Sequence, residues 1–367
     1  MSTARNTLGS GDEPPPNEAP RGTEAGRAPS GPRRARVQAM VYDGLATYGL
    51  AAILVALFVA FSIAMPGTFP TRFNIESLLS GQAVTALLAL AVMVPITVGQ
   101  WDLSVGFFVG LAHILTLGLQ VQSGLPWPVA SLAVVLAGVL LGLLNGWLIT
   151  SVGIDSFIAT LGSGTFVFGL ASWYTGGKQV LGNLHNGFYG IDTMIGGLLP
   201  SPALCVIVVA IVLWILLEYR PLGRRLYAIG ANPRAAELTG ISPKRYIPWT
   251  FVGSGVITAL AGIMLASELH VGQTSVGPDY LLPAFTGALL GATAIRPGRV
   301  NVWGTVIAVM LLAVIVSGLE QTGAEFFVAP LFNGLMLVTA VGLSLTTARR
   351  RAKVAAAANL AEGANGR

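Results

Sequence analysis

Charge in this chain is gathered into a few clusters, and long apolar runs almost free of it lie between them. A run of that kind reads as one crossing of a bilayer's hydrocarbon core, about 30 Å thick. Composition agrees: 10% of the residues are charged, 53% are hydrophobic and the mean hydropathy is +0.71, whereas a soluble domain carries roughly 25% charged residues. A chain of 367 residues is long enough for two soluble domains, but clustered charge leaves too little to cover a water-facing surface. The expected fold class is an all-α polytopic membrane protein, because inside lipid a segment must satisfy its own backbone hydrogen bonds.

Ten apolar segments can be drawn, at 45–65, 75–98, 104–121, 127–149, 155–175, 200–218, 247–268, 281–295, 301–319 and 327–346. The third and eighth are short and contain glycine. With the N-terminus inside and the segments alternating, the inner side receives Arg33, Arg34, Arg36, the six basic residues from Arg220 to Arg245, Arg296, Arg299 and Arg349 to Lys353. The outer side receives Arg72 and Lys178. This 15-to-2 division in the membrane-proximal segments follows the positive-inside rule. It supports cytoplasmic N- and C-termini and an even number of about ten transmembrane helices. Residues 1–40 read as a disordered cytoplasmic tail, rich in Pro, Gly, Glu and Arg without an apolar run. Their length and mixed charge do not suit a signal peptide. Residues 41–348 read as the transmembrane domain, with a cytoplasmic loop at 219–246, and 349–367 as a second polar tail.

Glycines recur four apart: Gly138, Gly142 and Gly146, Gly106 and Gly110, Gly287 and Gly291. Small residues at this interval let helix backbones approach closely in lipid, so tight packing is their first reading and a moving pathway the second. The lone Cys205 has no cysteine partner within the chain, and His113, His185 and His270 have no ligand spacing, so no metal site is expected.

The most informative stretch is the loop from Arg220 to Arg245. Arg234 to Leu238 reads as a short helix with Asn232-Pro233 as cap and first turn and Gly240 as its C-terminal glycine. A short helix between two spans can dock in a groove of a partner and transmit movement; the plainer reading is a solvated positive-inside loop. The run G-R-x-x-x-A-I-G-x-N-x-x-A-A-x-x-x-G-I, carried by Gly223, Arg224, Ala228, Ile229, Gly230, Asn232, Ala235, Ala236, Gly240 and Ile241, resembles the coupling loop of the ribose/xylose-type permeases of ATP-binding-cassette importers. Asp102-Leu103-Ser104-Val105-Gly106 is similar to that family's D-L-S-V-G segment. Asn145-Gly146 and Phe157-Ile158-Ala159-Thr160-Leu161-Gly162 are similar to its N-G and F-I-A-T-L-G segments. The resemblance runs from about residue 45 to 346. The chain departs from it at Gly99-Gln100-Trp101, where two glycines are usual, and at Asp155-Ser156, where a proline is common. It departs again at a reduced later turn, Gly291-Ala292-Thr293-Ala294 followed by Ile295 to Gly298.

The resemblance implies a permease of the cytoplasmic membrane that carries a monosaccharide or polyol. It implies three kinds of partner: an ATPase subunit that holds ATP and Mg2+, a periplasmic or lipid-anchored sugar-binding protein, and a second permease copy in a homodimer. No cofactor on this chain and no nucleic-acid partner is expected. No G-x-x-x-x-G-K-[ST] loop occurs; Gly176-Gly177-Lys178 lacks the spacing. Gly223, Arg224, Gly230, Asn232, Ala235, Ala236, Gly240 and Ile241 are the candidates for ATPase coupling. Asp102, Ser104 and Gly106 are candidates for gating, although Asp102 with Ser104 also reads as a near-interface cap for the next helix. Asn145, Thr160, Ser163, Thr165, Thr286 and Thr293 are candidates for the substrate path, although hydroxyls in membrane helices often bond to their own helix. Glu268, His270, Glu320, Glu325 and the outer loop from Gly176 to Pro200 are candidates for contact with a binding protein. Competing functions are a permease for branched-chain amino acids, a stand-alone secondary transporter or facilitator, which usually keeps ionisable residues in mid-span, and a membrane enzyme, whose His/carboxylate or Ser/His constellation is not visible.

Overall fold

The structure, a computed structural model, describes residues 33–189, 194–195, 199–325, 327–339 and 342. The expectations for residues 1–32 and 343–367, most of both tails, lie outside the described residues. Residues 33–40, assigned by sequence to the first tail, are helical. Beyond Pro32 the run Arg-Arg-Ala-Arg-Val-Gln-Ala-Met consists mainly of good helix formers, and it opens α1 (Arg33–Ala64).

The remaining helices follow in the order α2 (Arg72–Gly81), α3 (Ala83–Ile96), α4 (Ser104–Val121), α5 (Trp127–Trp147), α6 (Ser156–Thr175), α7 (Asn186–Tyr189), α8 (Ser201–Trp214), α9 (Pro221–Ala231), α10 (Pro233–Leu238), α11 (Pro243–Leu269), α12 (Val276–Asp279), α13 (Leu281–Gly291) and α14 (Val302–Gln321). A last helix, α15, spans Val328–Thr339. One-turn π segments extend α5 to Val152 and α8 to Tyr219. A two-stranded antiparallel hairpin, β1 (Met194–Ile195) and β2 (Leu199–Pro200), stands before α8. Among the described residues eight helical stretches are long and apolar enough to cross a membrane, and they coincide with eight of the ten segments drawn from the sequence. The other two segments contain shorter helices. The eighth, drawn as 281–295, holds an 11-residue helix that stops at Gly291, about 16 Å at 1.5 Å per residue and so half of a bilayer core.

α3 is the centre of the bundle. Every residue from Ala83 to Pro95 is buried, as a run that is apolar on all sides requires. α1 is the opposite case, with no buried residue between Thr47 and Ala64. α5 shows how one helix faces protein and lipid at once. Leu132, Leu136 and Leu140 are 59%, 54% and 67% exposed, while Gly138, Gly142 and Gly146 press against α11. A Cβ at Gly142 would lie 2.5 Å from the Phe251 carbonyl oxygen, and one at Gly146 would lie 2.6 Å from Pro248 Cα. The glycine stripe is therefore helix packing, backbone against backbone.

Two non-helical breaks enter the bundle, and many of their backbone groups are paired. Between α3 and α4 the amides of Val98, Gly99 and Gln100 bond to Pro95 and Ile96 carbonyls, with Gly99 in the left-handed region at φ +77. Trp101 N then donates to Ser156 Oγ at 3.1 Å and Leu103 N to Thr160 Oγ1 at 3.0 Å. Between α13 and α14 the Asn301 carboxamide donates to the carbonyls of Gly291, Ala294 and Arg299, and its oxygen accepts from Gly304 N at 2.8 Å. Ile295 in this break has φ +60, a conformation that strains a β-branched residue; its amide donates to the Thr47 carbonyl of α1 at 3.0 Å.

Candidate coupling surface and buried polar network

The loop from Arg220 to Arg245 is two helices rather than one. α9 goes beyond the sequence reading: Pro221 stands at its first position, and the helix runs on through Gly223 and Gly230 to Ala231. Its apolar face, Gly223, Leu226 and Ile229, is buried. Gly223 and Gly230 sit where a Cβ would strike the Leu217 and Thr97 carbonyl oxygens, so both glycines allow α9 to lie flat on the ends of α8 and α3. α10 matches expectation. Asn232 Oδ1 accepts from Ala235 N at 3.0 Å, the cap adjoins Pro233 at the first helical position, and Gly240 follows the helix at φ +83.

The loop's own motif residues thus divide by what they touch. Gly223, Gly230, Asn232, Ala236, Gly240 and the half-buried Ile241 build the two helices and seat them. Arg224 and Ala235 are exposed, together with Arg234, Glu237 and Leu238. Leu238 was not singled out from the sequence, yet it is 78% exposed, a bare apolar side chain at the end of a polar helix.

α9 is also tied to the break between α13 and α14. Glu218, at the end of α8, accepts from Arg299 Nη2 at 2.9 Å and from Arg296. The Arg299 guanidinium lies 3.5 Å from the centre of the Tyr227 ring, and the Tyr227 hydroxyl donates to the Val300 carbonyl at 3.0 Å. Burial pushes the Tyr227 phenol up from its usual range, the nearby Arg299 opposing this in part. The hydroxyl therefore stays protonated and keeps its donor role. Glu218 and the two arginines lie 78 and 81 residues apart, too far for sequence reading to join them.

Asp102 was expected near an interface. It is 2% exposed and joins a network that links four helices. Ser104 Oγ and N donate to its Oδ1 at 2.5 and 3.1 Å, and Ser254 Oγ of α11 donates to its Oδ2 at 2.8 Å. Asn145 Nδ2 of α5 donates to Ser104 Oγ at 3.0 Å, and Ser163 Oγ of α6 donates to Asn145 Oδ1 at 2.6 Å. The Ser104 amide contact is the expected cap; the reach to α11 was not legible, because Ser254 stands 152 residues away. Burying a carboxyl group is costly unless its oxygens are hydrogen-bonded, and three donors meet those of Asp102. The space among Asp102, Asn145, Phe251 and Gly255 is closed, with no room for a water. Here the network is a brace.

Of the substrate-path candidates, Asn145 and Ser163 belong to this brace, and Thr160 holds the neighbouring break. Thr165, Thr286 and Thr293 spend their hydroxyls on the carbonyls of Leu161, Leu282 and Leu290 in their own turns. Gly106 is buried and leaves room for Leu281, whose Cβ would lie 2.8 Å from a Cβ there. Among the described residues no group of three or more His, Cys, Asp and Glu is placed to hold a metal. His113 is buried in α4, His185 is exposed, and the half-buried His270 ring lies 4.8 Å from the Tyr189 ring. Glu320 and Glu325 are exposed and Glu268 is half-buried. The outer loop pairs Val180 with Gly272 and carries α7 and the β-hairpin.

The family described as "Branched-chain amino acid transport system / permease component" matches residues 74–341. The chain is 35% identical over 291 residues to the ribose import permease protein of Bacillus subtilis (strain 168), covering 78% of this chain and 89% of that protein. It is 30% identical over 305 residues to the D-allose transport system permease protein of Escherichia coli (strain K12), covering 83% and 92%. It is 30% identical over 315 residues to the autoinducer 2 import system permease protein of the same strain, covering 83% and 95%. No solved structure matches the chain. With a family match over well more than half of its length and eight helices of spanning character, this chain belongs to the branched-chain amino acid transport system permease-component family and is a multi-pass protein of the cytoplasmic membrane.

Proposed function

We propose that the chain is the membrane subunit of an ATP-driven importer, that it passes a monosaccharide or related polyhydroxy molecule to the cytoplasm, and that the ATPase is a separate chain docked on α9 and α10. The observation that carries the reading is the exposed, capped α10 with Leu238 at its end, mounted on an α9 that is seated by Gly223 and Gly230. Closure of the ATPases, which hold ATP and Mg2+, pushes α10. The thrust passes through α9 to the end of α3, which touches Gly230, and through Tyr227, Arg299 and Glu218 to the break between α13 and α14. Two permease copies work as a pair, with their N-termini and the basic helix ends on the cytoplasmic side. A sugar-binding protein docks at the opposite end.

The names of the ribose and D-allose relatives favour a sugar over a branched-chain amino acid. Asp102 is the one buried carboxylate among the described residues, and its closed surroundings leave no room for a coupling ion or water beside it. The test is a mild-detergent pull-down of the tagged chain from native membranes, beside Leu238→Asp. An ATP-binding-cassette ATPase should copurify with the native chain and be lost from a variant that still inserts. If no ATPase accompanies the native chain even after cross-linking, a stand-alone carrier becomes the better reading.

A further inference from the structure

A cavity of about 160 Å3 opens beside two helix breaks, among Gln82, Thr85, Asp279, Tyr280 and Asn333. Gln82 stands at the break between α2 and α3, and its side chain caps neither. Asp279 and Tyr280 occupy the break between α12 and α13, and Asn333 projects from α15. The depth is mid-membrane. Gln82 lies ten residues from the start of α2 and fourteen from the end of α3, roughly 15 and 21 Å. The opposite wall, Val309 to Val316, is the middle of α14.

Among the described residues none of these five side chains donates or accepts a hydrogen bond. This contrasts with the Asp102 network, where the carboxylate and the Asn145 carboxamide are paired. Unpaired polar groups in hydrocarbon are costly, and ionisable or amide side chains at this depth mark a path for a polar solute. The rest of the wall, Pro283, Val309 and Leu312, is apolar. A cavity with donors and acceptors on one side and C–H surface on the other suits a ring with hydroxyls on its edge and carbons on its face.

We infer that Gln82, Thr85, Asp279, Tyr280 and Asn333 form the subsite that holds the hydroxyl groups of the transported molecule halfway across the membrane. This deepens the importer reading and rests on it. The carboxylate of Asp279 and the amides of Gln82 and Asn333 accept and donate to neighbouring hydroxyls, and they have to come from an uncharged polyhydroxy compound. Of the elements around the subsite, α9 grips α3 at its far end through Thr97 and the break between α13 and α14 through Arg299. Movement of the coupling helices therefore changes the spacing of the very groups that hold the solute.

The test uses the native host with the gene deleted and the chain restored from a plasmid, so that its own partners are present. Uptake of tritium-labelled pentoses, hexoses and alditols is measured, and the compound taken up fastest is the probe. Gln82→Leu and Asn333→Leu should each raise the KM for that probe about tenfold, the effect of losing one or two hydrogen bonds, at unchanged membrane abundance and ATPase copurification. Leu335→Ala, a lipid-facing neighbour 63% exposed, should leave uptake unaltered. Unchanged KM and unchanged ranking of the sugars in both Leu variants would overturn the subsite while leaving the importer intact. A native chain that takes up none of the panel above the deletion strain would overturn both. In a Cys205→Ser background, Asn333→Cys should react with a water-soluble thiol reagent, and the probe should slow that reaction. A site that is unreactive, or unprotected by a transported sugar, counts against the proposal.

Discussion

Gly142→Ala and Gly162→Ala are the same chemical change in two spanning helices, and they should shift stability in opposite directions. At Gly142 the new Cβ would stand 2.5 Å from the Phe251 carbonyl oxygen and 2.6 Å from Val252 Cα, whereas ordinary contact begins near 3.4 Å. The α5–α11 seam must open by about 0.9 Å, the difference between those distances. A gap of 0.5–1 Å forfeits a quarter to a half of each dispersion contact along a seam, and overpacking a close-packed interface costs about 1–3 kcal/mol. The better helix propensity of alanine returns about 0.5–1 kcal/mol. The net expectation for Gly142→Ala is a loss of about 0–2.5 kcal/mol, centred on roughly 1.3. At Gly162 nothing lies within 4 Å of the added methyl, so only the propensity gain of about 0.5–1 kcal/mol remains. Reversible unfolding in mixed micelles, followed by tryptophan fluorescence, reads both. Adding Gly138→Ala to Gly142→Ala should cost less than the sum, because both methyls strain the one seam. If Gly142→Ala is as stable as the native chain, or moves with Gly162→Ala, the stripe does not set the approach of α5 to α11 and the packing explanation is wrong.

Asn232→Ala removes the α10 cap and should cost about 1 kcal/mol locally, seen as faster amide exchange over 233–238 and weaker retention of the ATPase, with the spans unaffected. Glu218→Gln leaves Arg296 and Arg299 without their shared carboxylate and should raise exchange in both α9 and the break at 292–300; a change confined to one of them would deny that they are tied. Asn301→Ala deletes the α14 cap and the one amide group that reaches three carbonyls of the break, with an expected loss of about 1–3 kcal/mol in the same unfolding assay. Asn145→Leu removes the bonds to Ser104 and Ser163, and the loss should be about 0.6–1.7 kcal/mol, the range for interhelical hydrogen bonds in membranes; no change would mean that the brace carries no stability.

What the sequence made legible was what depends on neighbours within a few residues. The Asn232 cap, the Pro233 first turn and the Gly240 end of α10 involve partners three or four positions away, and all three stand as expected. So do the eight long spans, because an apolar run needs only its own composition to be recognised. α9 was missed for a related reason. Its sequence, Pro-Leu-Gly-Arg-Arg-Leu-Tyr-Ala-Ile-Gly-Ala, contains two glycines and two arginines that read as a solvated loop. Gly223 and Gly230 are there to meet the Leu217 and Thr97 carbonyls, and Thr97 is far off in the chain.

The substrate path shows the same limit from the other side. The serines and threonines near family-like motifs drew attention because the motifs are contiguous, yet Thr165, Thr286 and Thr293 bond to their own turns, and Asn145 and Ser163 brace Asp102. Gln82, Asp279, Tyr280 and Asn333 have no motif around them; they stand at helix ends or on a short helix, and only folding brings them to one cavity. Polar residues inside a bundle divide by whether their hydrogen bonds are already made. A satisfied side chain such as Ser254 holds helices in register and resists a passing solute's demands. An unsatisfied one such as Asn333 has its donors and acceptors free, and in a permease the molecule that completes them is the one that must leave again. That is why the path needs unpaired groups at mid-depth and paired ones elsewhere in the bundle: the first bind weakly and exchange, and the second hold α4, α5, α6 and α11 in register when α9 moves.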